Sequence, residues 1–130
     1  MSYINAIVKI DQTTIVAAIF VIAVILAIYL LSNPSGKYDA FAKCLTEKEA
    51  RMYGAFWCPH CKDEKEMFGS GWQYVNYTEC STPDATGQLP VCAEAGIKGY
   101  PTWVFGDGTR KSGLVSFDEL SKKTGCELPS

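Results

Sequence analysis

Two cysteines separated by two residues, Cys58-Pro-His-Cys61, are the stretch of this sequence best equipped for chemistry. A CxxC pair can cycle between dithiol and disulfide, and its flanks say which sulfur attacks. Met52 to Trp57 is apolar and aromatic and reads as a buried strand, while Lys62 to Phe68 reads as a helix ending at Gly69. Strand, CxxC and helix in that order put Cys58 at a helix N-terminus, where unpaired amides and the macrodipole stabilise a thiolate. Cys58 is therefore the expected nucleophile. Cys61, one turn inside the helix, is placed to attack a mixed disulfide on Cys58 and release the product. Pro59 suits the first helical turn, where its missing amide hydrogen costs nothing. His60, the single histidine of the chain, can offer the Cys58 thiolate a hydrogen bond or a positive charge, stabilising the reduced form and making the disulfide a stronger oxidant. The bland readings of a CxxC are a zinc knuckle and a plain structural bridge. Zinc needs two more ligands, and the run from Cys61 to Cys80 and Cys92 lacks a second tight pair, so no metal is expected. No other cofactor is expected either.

The elements that must position this dithiol share the chain with a segment of a different kind. The 130 residues leave room for one domain and little else. A net charge of -2, with acids and bases mixed, offers no basic field and excludes a nucleic-acid partner. Six cysteines in a soluble part this small point to an oxidising compartment. From Thr13 to Leu31 the side chains are apolar or small apart from the opening Thr pair and Tyr29, and no charge falls between Asp11 and Lys37. A helix there is long enough to cross a bilayer. A buried core helix is the alternative, but so small a domain could not cover a helix apolar on every side. A cleaved signal peptide is the stronger rival, against which stand the length of the run and the lack of a small-x-small site after it. The reading is an uncleaved signal-anchor. Lys9 on one side balances Lys37 and Lys43 on the other, so charge does not orient it. The cysteines do, placing the N-terminus in the cytoplasm and the rest on the extracytoplasmic side, periplasmic or lumenal. The expected organisation is a short cytoplasmic N-terminus (1–12), a transmembrane signal-anchor (13–31), a linker (32–37) and a folded domain (38–130).

Within that domain Tyr38, Phe41, Ala42 and Leu45 recur at helical spacing on a segment carrying Cys44. Trp72 to Tyr77 reads as a second strand, followed by a loop from Glu79 to Pro90 and a brief helix from Cys92 to Ala95 closed by Gly96. Thr102–Phe105 and Lys111–Val115 flank Gly106-Asp-Gly-Thr109, an antiparallel hairpin signal. Ser116 and Glu119 form a capping box for a last helix that Gly125 terminates. Phe56, Trp57, Trp72, Tyr74, Tyr77, Trp103 and Phe105 alternate along the expected strands, and most are expected in the core, Trp57 being the exception. The charged run Lys62-Asp-Glu-Lys-Glu66 is expected on a solvated helix face, with Lys62 and Glu66 one turn apart.

Three stretches resemble the thioredoxin superfamily: Tyr53-Gly-Ala-Phe-Trp-Cys-Pro-His-Cys61, Gly96-Ile-Lys-Gly-Tyr-Pro-Thr102, and the hairpin leading into the final helix. The resemblance covers about Tyr38 to Glu127 and implies an α/β fold, a central mixed sheet flanked by helices, here preceded by one transmembrane helix. It also implies a cis bond at Tyr100-Pro101, with Tyr100 and Pro101 holding extended substrate and Trp57 lining an apolar substrate surface. One position departs: where thioredoxin has a buried acid that shuttles protons, this chain has Met52, which weakens a reductase-like mechanism. Closer still, the CPHC phrase, the Phe41-Ala-Lys-Cys-Leu45 helix and Glu94 to Trp103 are similar to the thioredoxin-like domain associated with bacterial and plant vitamin K epoxide reductase homologues. That likeness implies a quinone-reducing membrane partner supplied by another polypeptide. Cys80 and Cys92 match a second pair in that group, as a structural disulfide closing the intervening loop or as a redox relay. Cys44 and Cys126 would staple the ends of the domain, which lie near each other in thioredoxin-like folds. The expected activity is thiol-disulfide oxidoreduction, donating disulfides to reduced client proteins. The same residues would serve a reductase or isomerase acting on disulfide-bonded clients, and a non-catalytic membrane-tethered module is the alternative of another class.

Overall fold

In the computed structural model, residues 11–32 and 36–130 are described. Residues 1–10 of the expected N-terminal segment (1–12) and 33–35 of the expected linker (32–37) lie outside the described residues. The chain divides into two compact units, residues 1–35 and 36–130.

The described part of the first unit holds one helix, α1 (Gln12–Ser32), of 21 residues. At 1.5 Å per residue it is about 31 Å long, close to the roughly 30 Å hydrocarbon thickness of a bilayer. Its isoleucines, valines and leucines are exposed around its whole circumference, and the helix satisfies its own backbone groups, as a span must. It is the one helix among the described residues long and apolar enough to cross a membrane.

The second unit is built from α2 (Asp39–Glu47), β1 (Arg51–Gly54), α3 (Pro59–Phe68), β2 (Tyr77–Glu79), α4 (Pro90–Glu94), β3 (Thr102–Val104), β4 (Arg110–Ser112) and α5 (Phe117–Thr124). The strands form one mixed sheet in the order β2-β1-β3-β4. β1 pairs with β2 in parallel, which requires a crossover that α3 supplies, and β3 lies antiparallel to both β1 and β4. Met52 is aligned with Tyr77 on one side and Trp103 on the other. This is the thioredoxin-like architecture.

Side chains alternate across the sheet, so Met52 and Gly54 face one layer and Tyr53 the other. The larger core gathers Met52 and Trp103 with Phe41 and Leu45 of α2, Cys61 and Phe68 of α3, and Leu120 of α5. Phe117 meets Phe68 edge-on at 4.7 Å and Phe41 at 5.4 Å between ring centroids. A smaller core joins Tyr53, Cys80, Cys92 and Ile97.

The capping box forms as expected, with Ser116 Oγ accepting from the Glu119 amide and Gly125 closing α5 in the left-handed conformation. Three strand expectations need correction, one being that the last strand spans Arg110–Ser112 and does not run on to Val115. The first strand stops at Gly54, after which the chain turns, leaving Phe56 about half exposed rather than in the core. Trp72–Tyr77 is not a strand: Gly69–Tyr74 winds into a 3-10 turn and the paired strand begins only at Tyr77. Gly71 lets this turn pack closely, because a Cβ there would lie 2.9 Å from the Tyr38 carbonyl carbon. Trp72 still packs inward against Phe68 and Tyr77.

Candidate active site

The turn after β1 delivers Cys58 to the start of α3. The Cys58 amide donates to the Ala55 carbonyl at 3.0 Å, and its own carbonyl accepts from Lys62 at 3.2 Å. Cys58 is the residue just before the helix, in extended conformation, and Pro59 fills the first helical position. Cys58 and Cys61 are both free and buried, and of the two only Cys58 keeps measurable exposure, 5% against 0%. Burial first, then the hydrogen bond shared with Cys58, pushes the Cys61 thiol up to about 12. Its sulfur lies over Gly54, where an added Cβ would come within 3.0 Å of it and 2.9 Å of the Tyr77 ring. Glycine at 54 thus makes room for the resolving sulfur.

His60 is exposed, and its Nδ1 lies 3.4 Å from the Asp63 carboxylate, one turn along α3. Trp57 is half exposed. Its indole Nε1 donates to Ser81 Oγ at 2.8 Å, and its ring meets Tyr100 edge-on at 6.0 Å. The Tyr100-Pro101 bond is cis and Pro101 is buried at the entry to β3. Tyr100 is held from behind by Gln88, whose Nε2 donates to its hydroxyl at 2.8 Å. Glu79 links these parts: its carboxylate accepts from the Phe56 amide (3.2 Å), the Ser81 amide (2.9 Å) and the Tyr77 hydroxyl (2.8 Å). The fold therefore brings Cys58, Pro59, Cys61, Trp57 and Tyr100 into one region.

The other four cysteines are closed. Cys44 pairs with Cys126 and Cys80 with Cys92, at Cα separations of 5.9 and 5.6 Å. Cys80 and Cys92 are fully buried and belong to the smaller core, whereas Cys58 and Cys61 belong to the larger one.

Sequence reasoning missed one residue here. Glu64 is not on a solvated helix face: it is 1% exposed, in the core beside Cys61. Its Oε2 accepts from Trp103 Nε1 and its Oε1 from the Val115 amide, both at 2.6 Å. Burial pushes its carboxyl up to about 7, against the smaller opposing effect of those two donors. Glu64 thus lies on the same buried face of α3 as Cys61 and Phe68.

No family model matches the chain. It is 44% identical over 104 residues to the thiol-disulfide oxidoreductase LTO1 of Arabidopsis thaliana, in an alignment taking in 75% of this chain. The chain spans about a quarter (27%) of the length of that curated relative. The fold is thioredoxin-like, and the relative is named for thiol-disulfide oxidoreduction.

Proposed function

We propose that this chain is a membrane-anchored thiol-disulfide oxidoreductase whose redox couple is Cys58-Cys61. The observation that carries the proposal is the division of its cysteines: four are closed into two bridges, and the two left free form a CxxC at the start of a helix. As a disulfide donor it would act in two exchanges. A client thiolate attacks the Cys58 sulfur of the disulfide and Cys61 leaves; a second client thiolate attacks the resulting mixed disulfide and Cys58 leaves. The client loses two electrons and the dithiol gains them. Trp57 and Tyr100-Pro101 would receive the client chain, with His60 favouring the Cys58 thiolate. Reoxidation is assigned to a quinone-linked membrane partner like vitamin K epoxide reductase, with α1 as the anchor and the folded unit on the extracytoplasmic side.

Glu64 favours a second reading, as a reductase or isomerase, because a buried acid beside the resolving thiol restores the proton exchange that Met52 cannot provide. The deciding measurement is the reduction potential of the full chain in detergent, equilibrated against glutathione buffers. A value near or above that of an oxidising compartment, about -200 mV, supports disulfide donation. A strongly reducing value assigns the reductase role. The absence of a reversible couple leaves a non-catalytic tethered module and sinks the proposal. In cells, Cys61→Ser should accumulate mixed disulfides with clients through Cys58.

A further inference from the structure

Glu64 and Cys61 are three positions apart on α3, and with Phe68 they form its buried face. Burying a carboxylate without a cation is costly unless its state can change. Among the described residues no ion pair involves Glu64, and both of its donors are neutral N–H groups, one on each oxygen. Each oxygen keeps a further lone-pair site for a proton. A purely structural tie between α3, β3 and the chain before α5 does not need a group that ionises. Resting on the redox reading above, we propose that Glu64 exchanges the proton of the Cys61 thiol during disulfide exchange.

In the resolving step a Cys61 thiol and a Glu64 carboxylate face a mixed disulfide between Cys58 and a client. The Cys61 sulfur bonds to the Cys58 sulfur and the bond from Cys58 to the client breaks. The client sulfur departs as thiolate with the electron pair, and the Cys61 proton ends on Glu64. In the reverse direction Cys61 leaves and the protonated acid returns the proton. Burial suits Glu64 to both directions, since its carboxyl titrates near neutrality while Cys61 resists ionising unaided. The carboxylate's charge is itself one of the influences opposing a Cys61 thiolate, so ionisation of the thiol and protonation of the acid go together. The remaining titratable groups facing the pair are Cys58, just before α3, and Tyr77 of β2, whose hydroxyl is committed to Glu79. β1 contributes Met52 and Gly54, β3 contributes Trp103, and α2 and α5 contribute Phe41 and Leu120 to the same core, none of them charged.

The test uses the reduced full chain in detergent, mixed with oxidised glutathione and acid-quenched for mass analysis between pH 5.5 and 9. Two events are read separately: the glutathione adduct on Cys58, and its conversion to the internal disulfide. The conversion in the wild-type chain should accelerate through an inflection near neutrality. Glu64→Gln should slow it at pH 7 by about tenfold or more and abolish the inflection, while adduct formation is unchanged. An identical profile in the variant overturns the role of Glu64 and leaves the redox reading standing. If no adduct forms, the redox reading itself falls and the inference with it. Should Glu64→Gln fail to fold, infrared spectra of the wild-type chain with labelled glutamate decide: a buried carboxyl exchanging its proton near pH 7 is expected, and one that keeps a single state from pH 5 to 9 overturns the inference.

Discussion

The two sulfurs of the CPHC turn are made unequal by their surroundings. Cys58 precedes the first turn of α3 and retains an exposed edge, whereas Cys61 is sealed, hydrogen-bonded to Cys58 and pushed up to about 12. In the reduced chain, brief iodoacetamide treatment at pH 7.5 should therefore give a single adduct that maps to Cys58; equal labelling of both sulfurs would contradict the assigned roles. The proposed role of His60 is tested at the same scale. Removing a group that favours the thiolate stabilises the disulfide relative to the dithiol, so His60→Ala should make the couple more reducing, with about 30 mV for each tenfold change in equilibrium. An unchanged potential would show that the imidazole, lying beside Asp63, does not serve Cys58. Cys58 and Cys61 were legible in the sequence because CxxC after an apolar run carries its own mechanism. Glu64 was not, because it sits amid five consecutive charged residues. The only sequence signal for it is its spacing from Cys61 and Phe68, three and four positions away, which places all three on one helix face.

At the scale of elements, the loop after β2 braces the rim of the site. Glu79 holds the Phe56 amide and the Ser81 amide, Ser81 holds the Trp57 indole, and the Cys80-Cys92 bridge fixes the loop from within the smaller core. Ser81→Ala removes one hydrogen bond to Trp57, worth about 1 kcal/mol, without touching the dithiol. A peptide disulfide assay should show KM rising roughly fivefold with kcat nearly constant. A fall in kcat at constant KM would mean that Trp57 serves the sulfurs rather than the client. Much of this element scale could be read beforehand, because the α5 capping box, the Asp107-Gly108 turn and the amphipathic α2 are local signals that the fold leaves in place. What could not be read were the positions set by contacts across the fold. The 3-10 turn at Gly69–Tyr74 packs close against Tyr38, and β1 ends early where the chain turns toward α3, and neither leaves a mark in nearby periodicity.

For the folded unit as a whole, the buried acid sets a dependence of stability on pH that can be measured without any substrate. The Glu64 carboxyl titrates at about 7 in the folded chain against an ordinary 4.5. Between these values the folded chain keeps a proton that the unfolded chain has released, so stability is greatest at the acid end of the window and declines as pH rises, levelling off above about 7. A shift of this size corresponds to about 3 kcal/mol as an upper figure. Asp84, Asp107 and Glu119 are shifted in the opposite direction by their hydrogen bonds, so what they contribute is lost only at lower pH and does not overlap the window. The dithiol is not among the causes acting on Glu64, and the oxidised chain, which unfolds without thiol exchange from the CPHC pair, is therefore the form to measure. Urea unfolding of the full chain in detergent, followed by the fluorescence of Trp57, Trp72 and Trp103, should give a higher midpoint at pH 5 than at pH 8. Glu64→Gln should lose most of that difference. A wild-type midpoint that is constant or rises across this range would mean that Glu64 ionises as an ordinary surface acid does, and would remove the basis for its exchange with Cys61.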